Sequence, residues 1–322
     1  MALRAYIAST GLHLPPRVQT NAELSSLVGR SEAWMRLRTG VLERRIAEEP
    51  VEVLGARAAR AALGDGAPPD LIINASLSPR QLVPDTSVFL QEALGYSGIP
   101  SFSMHATCLS FLPALHHAAM AIHAGAHERV LVVSAEAGTP SRNLAEPESA
   151  VLIGDGAGAV VVERAPAEGA SQFLGWRMKT WPEASHLTQI EGAGLHRHPN
   201  DPETRPEHNL FHMEGPGIYR FARTRVGPVV DELLGSLGLT IDDIDLLVPH
   251  QASGPALEAM RLLGISAEKT VNIIEKTGNC IAASLPMALA SAAAEGRLER
   301  GQTILMVGTG AGLSIGAAAL VW

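Results

Sequence analysis

Only two of 322 residues are cysteine, Cys108 and Cys280. That is too few for a disulfide framework, and a reducing cytoplasm is the expected compartment. Positive charge is also short: 25 Lys and Arg stand against 33 Asp and Glu, a formal net charge of −8. Nucleic-acid binding, which needs a basic surface, is not expected. No apolar run reaches membrane-spanning length without a Gly, Pro or charge, so no membrane segment is expected either. Residues 1–9 alternate like a strand at Leu3, Ala5 and Ile7, without the basic start and long apolar core of a signal peptide. What is present is 46% hydrophobic and 18% charged, rich in Ala and Gly, the composition of a compact, buried α/β enzyme. This length allows one large domain or two ordinary ones.

The stretch from Ser103 to Ala124 organises the rest. Its first residues read as a short strand. From Cys108 on, Leu109, Leu112, Leu115, Ala119 and Ile122 recur at helical spacing. Pro113 is tolerated in a first helical turn, where amides lack intrahelical partners. Cys108 is thus expected where a strand hands over to a helix, a position that stabilises a thiolate and supplies amides to an oxyanion. Taken alone, a lone cysteine is more often a small packed core residue.

Elsewhere strands alternate with Ala-rich helices, the pattern of βαβ units. Thr20 or Asn21 caps a helix running through Leu27. Residues 31–45 carry Arg36, Arg38, Arg44 and Arg45 around Trp34, either a solvated helix end or an anion site with an indole for stacking. Helices are expected over 52–63 and 85–94, and strands over 71–76 and 129–136, the latter without alternation, as in a parallel sheet covered on both faces. Gly154-Asp-Gly-Ala-Gly-Ala resembles a dinucleotide fingerprint, but a β-branched run follows it instead of a helix. The glycines are instead expected to let backbone approach closely near Cys108. The stretch 165–212 is irregular, with a strand near Gly175 and a polar loop over 192–209 that reads as a lid or substrate wall. His196, His198, His208 and His212, like His123 and His127, lack companion ligands at metal spacing, so no metal is expected. One amphipathic helix is expected over 215–237, then a strand ending at His250, a helix over 255–263, an Ala-rich helix after Asn279, and two closing strands around a glycine turn.

The two halves echo each other. Cys108 opens a helix containing Leu-Pro-Ala-Leu, and Asn279 opens one containing Leu-Pro-Met-Ala-Leu; each then leads through Gly and Glu-Arg to a β-branched strand. This internal duplication divides the chain into 1–165, with the cysteine, and 166–322, with His250 and Asn279. A pseudo-twofold arrangement would turn both helix starts towards one cleft, uniting a thiol, an imidazole and a carboxamide from three separate turns.

That set resembles β-ketoacyl-acyl carrier protein synthase III, a thiolase-like condensing enzyme. The resemblance runs through Thr20-Asn-Ala-Glu, Trp34, Arg38-Thr-Gly-Val, Cys108, Gly154-Asp-Gly-Ala-Gly-Ala, His250-Gln-Ala, Gly278-Asn279 and Gly308-x-Gly-x-Gly. It implies a five-layered αβαβα fold, an acyltransferase without a cofactor, and a homodimer. By this resemblance Cys108 would take an acyl group from a thioester, in the family usually one on coenzyme A. A malonyl thioester on acyl carrier protein would then decarboxylate, with His250 and Asn279 donating to the enolate oxygen, each worth about 3 kcal/mol. The Cys108 and Ala311 amides would form the other oxyanion hole. The resemblance also assigns Trp34 and Arg38 to coenzyme A, Arg220 to carrier-protein docking, and Val83 to the acyl-pocket wall, where the family often has a phenylalanine that crosses the dimer. Ser253 and Pro255 depart from the family's Asn and Arg after His-Gln-Ala and thin the carrier-docking patch; with Val83 and Ala311 they leave two expectations open, fatty-acid biosynthesis and a specialised, polyketide-like pathway with a longer or different acyl group. The alternative activity is acyl transfer to an alcohol, amine or second β-keto chain without malonyl extension.

Overall fold

Two β-sheets face each other across a pair of Ala-rich helices. The computed structural model describes residues 2–166 and 171–322; Met1 of the first expected strand and residues 167–170 of the irregular stretch lie outside the described residues. In chain order the first half holds β1 (Ala5–His13), β2 (Arg17–Thr20), α1 (Asn21–Val28), α2 (Glu32–Thr39), β3 (Glu43–Ile46), α3 (Val51–Leu63), β4 (Leu71–Asn74), α4 (Thr86–Leu94), β5 (Ser101–Ser103), α5 (Phe111–Ala124), β6 (Arg129–Glu136), α6 (Pro147–Ala150) and β7 (Gly156–Arg164). The second holds β8 (Gln172–Thr180), β9 (Thr188–Gln189), β10 (His212–Met213), α7 (Gly215–Arg223), α8 (Val226–Leu237), β11 (Leu246–Pro249), α9 (Gly254–Ala259), α10 (Ile274–Thr277), α11 (Ser284–Ala294), β12 (Thr303–Gly310) and β13 (Ser314–Val321).

One sheet has the order β1-β7-β6-β4-β5 and the other β11-β12-β13-β8. Side-chain alternation sends successive residues of one strand into different cores. From β6, Val130 and Val132 enter the central core with α5 and α11, while Leu131 and Val133 pack under α3 and α4. From β12, Ile304 and Met306 point to the centre and Leu305 and Val307 to α8. The layers therefore run helix, sheet, helix, sheet, helix, the thiolase-like αβαβα order. The two middle helices are covered on both sides, and α11 is buried around nearly its whole circumference. Small Ala side chains let two sheets close on it.

Four expectations need correction. Both sheets are mixed: β4 pairs in parallel with β5 and β6, but β7 runs antiparallel to β6 and β1. The missing alternation comes from helices on both faces, not from strand direction. The stretch 215–237 is two helices, broken at Thr224 and Arg225. Pro228 explains the break: it has no N–H for the Thr224 carbonyl, so it fits only the first turn of a new helix. The helix after Cys108 begins at Phe111, with Pro113 at its third position. The glycines at 154–158 bring β7 against the Asn279 side rather than Cys108. A Cβ at Gly154 would strike the Thr277 carbonyl, and one at Gly158 would lie 2.6 Å from the Met287 nitrogen.

Candidate active site

Cys108 sits on a tight turn between β5 and α5. The Ser110 hydroxyl accepts from the Ala106 N–H at 2.9 Å and donates to the Thr107 carbonyl at 2.7 Å. Thr107 has φ 53°, a left-handed conformation that costs a β-branched residue energy and persists only where surroundings enforce it. The Thr107 hydroxyl donates to the Ala311 carbonyl at 3.2 Å, and only a glycine at 310 leaves it room: a Cβ there would lie 2.7 Å from Thr107 Oγ1. The nucleophile turn and the β12–β13 turn are thus locked together. Nothing in the sequence singled out Thr107.

Burial pushes the Cys108 thiol up to about 11, and the Glu136 charge adds to it; the Ala311 and Cys108 amides draw it back. The resting sulfur is therefore a thiol, and the expectation of a resting thiolate is corrected. Cys108 lies three residues before α5 starts, in a largely apolar pocket within the influence of the Glu136 carboxylate. Glu136, also unforeseen, is fully buried at the end of β6 and accepts from the Leu77 and Ser78 N–H groups at 2.6 and 2.9 Å. Burial raises its carboxyl to about 7 against these hydrogen bonds.

His250 follows β11, its N–H bonded to the Val307 carbonyl at 2.7 Å. Burial lowers the imidazole to about 4, so it is neutral at physiological pH. Nδ1 is buried without a partner. Gly308 lets β12 close over it, since a Cβ there would lie 2.8 Å from Leu109 and 3.0 Å from the His250 Cβ.

Asn279 is held by the first half of the chain. Its N–H donates to the Leu152 carbonyl at 2.7 Å and its own carbonyl accepts from the Gly154 N–H at 3.1 Å. Gly278, at φ 65°, permits the contact: a Cβ there would lie 2.5 Å from the Leu152 carbonyl oxygen. The side-chain Oδ1 accepts from the Ile281 N–H at 2.9 Å, and Nδ2 donates to the Ala252 carbonyl at 3.3 Å. That fixes the amide orientation and leaves a second Nδ2 hydrogen unused.

Cys108, His250, Asn279 and Ala311 all line one cavity of about 250 Å³. Trp34, Arg38, Arg220 and Val83 do not line it. Trp34 is half-buried against α1, and Arg38 and Arg220 are exposed, 3.5 Å from Glu148 and 3.6 Å from Glu214. Gly40 and Gly254 bring the Arg38 helix against α9, a Cβ at Gly40 lying 2.8 Å from the Gly254 Cα. Val83 stands exposed on a loop with Leu82. Arg44, grouped above with candidate anion-binding residues, is wholly buried and donates to Asn21, the Gln19 carbonyl and the Val151 carbonyl. The polar loop 192–209 does not line the cavity; its flanks do, through Thr188, Phe211 and Met213. His212 instead pairs with Glu146 at 2.6 Å. Cys280 packs with Ala283 and Met287.

Comparison with known proteins agrees with this geometry. Residues 102–182 match the family model for 3-oxoacyl-[acyl-carrier-protein] synthase III, and residues 234–322 match the model for its C-terminal part. The chain is 36% identical to β-ketoacyl-[acyl-carrier-protein] synthase III of Agrobacterium fabrum, over 99% of this chain and all of that one. It superimposes on the crystal structure of 3-oxoacyl-[acyl-carrier-protein] synthase III from Aquifex aeolicus with TM-score 0.90 and 34% identity, covering 99% of this chain and 100% of the other. A priming β-ketosynthase from a polyketide biosynthetic pathway gives TM-score 0.91 and 30% identity, covering 99% and 96%. With a relative above one-third identity along its full length and matching family models in both halves, the chain belongs to the β-ketoacyl-[acyl-carrier-protein] synthase III family.

Proposed function

We propose that this chain catalyses decarboxylative Claisen condensation of an acyl thioester with a malonyl-type thioester, with Cys108, His250 and Asn279 as its catalytic residues. The observation that carries the reading is the single cavity shared by a thiol, a neutral imidazole and an oriented carboxamide. In the first half-reaction the Cys108 sulfur attacks the acyl carbonyl. The carbonyl oxygen takes the negative charge facing the Cys108 and Ala311 amides, and the carrier thiolate leaves. A thiol raised to about 11 needs a proton acceptor during attack, and neutral His250 is the nearby group able to serve. In the second, a malonyl thioester loses carbon dioxide and the electron pair moves onto its thioester oxygen. His250 and Asn279 donate hydrogen bonds there, where preorganised donors act most strongly. The enolate carbon then attacks the acyl-cysteine, and the Cys108 sulfur leaves as the β-ketoacyl thioester forms.

Acyl-CoA as donor and acyl carrier protein as bearer of the malonyl group follow from family membership. Arg38 and Arg220 are exposed cations suited to an acidic carrier and to coenzyme A phosphates, and Trp34 to its base. The division at 165/166 places one sheet in each half. A homodimer is supported by the open edge of β5 beside exposed Leu82 and Val83, and the two-cysteine composition suits a cytoplasmic site of action. The test is intact-protein mass spectrometry after incubation with acyl thioesters. Cys108→Ala should gain no acyl adduct, whereas Asn279→Ala should acylate and release carbon dioxide from malonyl thioester about 10²–10³ times more slowly. An unchanged adduct on Cys108→Ala would overturn the reading.

A further inference from the structure

An amide stabilises an oxyanion well only when its direction is set before the charge appears. The Ala311 amide, which reaches the Cys108 sulfur, belongs to a turn poorly built to set a direction. β12 ends at Gly310 and β13 resumes at Ser314, and those two residues form the last rung of their ladder. Residues 311–313 lie beyond it, with glycine on both sides of Ala311. Glycine has no Cβ to restrict its backbone, so the turn by itself leaves the Ala311 peptides free to rotate. Leu313 is tied down by paired hydrogen bonds with the Trp181 backbone, at 3.1 and 2.8 Å. Between the rung and that tie, the Ala311 carbonyl has one donor among the described residues, the Thr107 hydroxyl at 3.2 Å.

Thr107 is itself held firmly. Its carbonyl accepts from both the Ser110 N–H at 3.1 Å and the Ser110 hydroxyl at 2.7 Å, and that hydroxyl also accepts from the Ala106 N–H. A β-branched side chain on a fixed backbone has few χ1 choices, so its hydroxyl is a rigid donor. We infer that Thr107 is a positioning residue for the acyl carbonyl: its hydroxyl crosses from the first half to hold the Ala311 backbone, so that the amide faces the oxygen where charge develops. The inference rests on the condensing reading above. The groups assigned to the enolate oxygen are held by other contacts, His250 through the Val307 carbonyl and Asn279 through the Leu152 carbonyl and the Ile281 N–H. Each oxyanion therefore has its own support, and Thr107 belongs to one of them.

The test is single-turnover acylation of Cys108, followed by the mass of the intact protein in quenched samples. The donor is whichever of acetyl-, butyryl-, hexanoyl- and octanoyl-CoA acylates the wild type fastest. Thr107→Val keeps the shape and loses the hydroxyl; Thr107→Ala loses it without any risk of overfilling the turn. Each should cut the saturating acylation rate about 10- to 100-fold, short of the 10²–10³ that outright loss of a donor costs. The half-saturating concentration should move less than about twofold, because the charged oxygen exists only in the transition state. Thr107→Ser restores the hydroxyl and should recover the rate to within about threefold of wild type. Alkylation of Cys108 by iodoacetamide, located by peptide mass, builds no charge on a carbonyl oxygen and should stay within about threefold in all three variants. A residue that merely shaped the turn would slow alkylation and acylation together. That joint loss would overturn the role, as would undiminished acylation in Thr107→Val and Thr107→Ala, or a Thr107→Ser rate as low as theirs; wild-type acylation would still uphold the condensing reaction. Failure of every thioester to acylate wild-type Cys108 would refute both.

Discussion

Replacing Asn279 by Asp tests the enolate site with almost no change in shape. The aspartate keeps one oxygen on the Ile281 N–H, now 2.9 Å from Oδ1, so the backbone turn should survive. What changes is the other arm of the side chain. The Nδ2 donor, which bonds the Ala252 carbonyl at 3.3 Å, becomes an acceptor facing that carbonyl and the cavity. Loss of one aimed donor costs about 3 kcal/mol in the transition state. A carboxylate about 4 Å from the developing enolate adds repulsion of about 4 kcal/mol at an effective dielectric of 20. Together these slow decarboxylation about 10⁵-fold. Asn279→Ala loses only the donor and should slow it by about 10²–10³. The gap between the two variants reads the charge. It should narrow as pH falls, because a protonated aspartate is again a donor. The assay is carbon dioxide release from malonyl thioester beside the acyl-adduct mass of the same samples, with acylation retained in both variants. Decarboxylation by Asn279→Asp within tenfold of wild type would refute the assignment.

Two buried groups give opposite pH dependences of stability. His250, lowered from 6.5 to about 4, contributes stability that is complete above pH 6.5 and lost as pH falls through 4, up to about 3 kcal/mol. Glu136, raised from 4.5 to about 7, contributes stability present below pH 4.5 and lost as pH rises through 7, of similar size. In urea unfolding across pH 4–8, His250→Gln should therefore lose the acid-side slope and Glu136→Gln the neutral-side slope; parallel profiles for all three proteins would contradict both. Arg44→Met strips three acceptors of a buried cation and should lower unfolding free energy by at least about 3 kcal/mol, read from the same curves. Gly154→Ala drives a methyl into the Thr277 carbonyl, and should cost about 1–3 kcal/mol and depress condensation more than acylation, because the displaced segment after α10 carries Asn279.

Much of this site is legible in the amino-acid sequence. The thiol, imidazole and carboxamide each stand at the end of a strongly patterned element, and the internal echo placed Cys108 and Asn279 on equivalent helix starts. The glycines at 154–158 read in sequence as a close approach near Cys108, but spacing alone does not fix a partner, and the backbone they meet is that of 277–287. Thr107 and Glu136 were illegible for different reasons. The first matters through one backbone dihedral, the second through burial beside groups far along the chain. The break at Thr224 was in principle visible at Pro228, whose missing N–H was outweighed by a continuous apolar stripe. Arg44 looked like its exposed neighbours because a short strand gives little sign of which face is covered.

The backbone ladder joining 152–154 to 277–279 has a further implication for how competence is acquired. A residue whose backbone is held by hydrogen bonds from the other half of the chain has no fixed place opposite Cys108 until the two halves meet. Docking and activation are then the same event. Halves folded separately and mixed would regain turnover only in proportion to their reassociation, and any motion that parts them would silence condensation before it disturbed the sulfur.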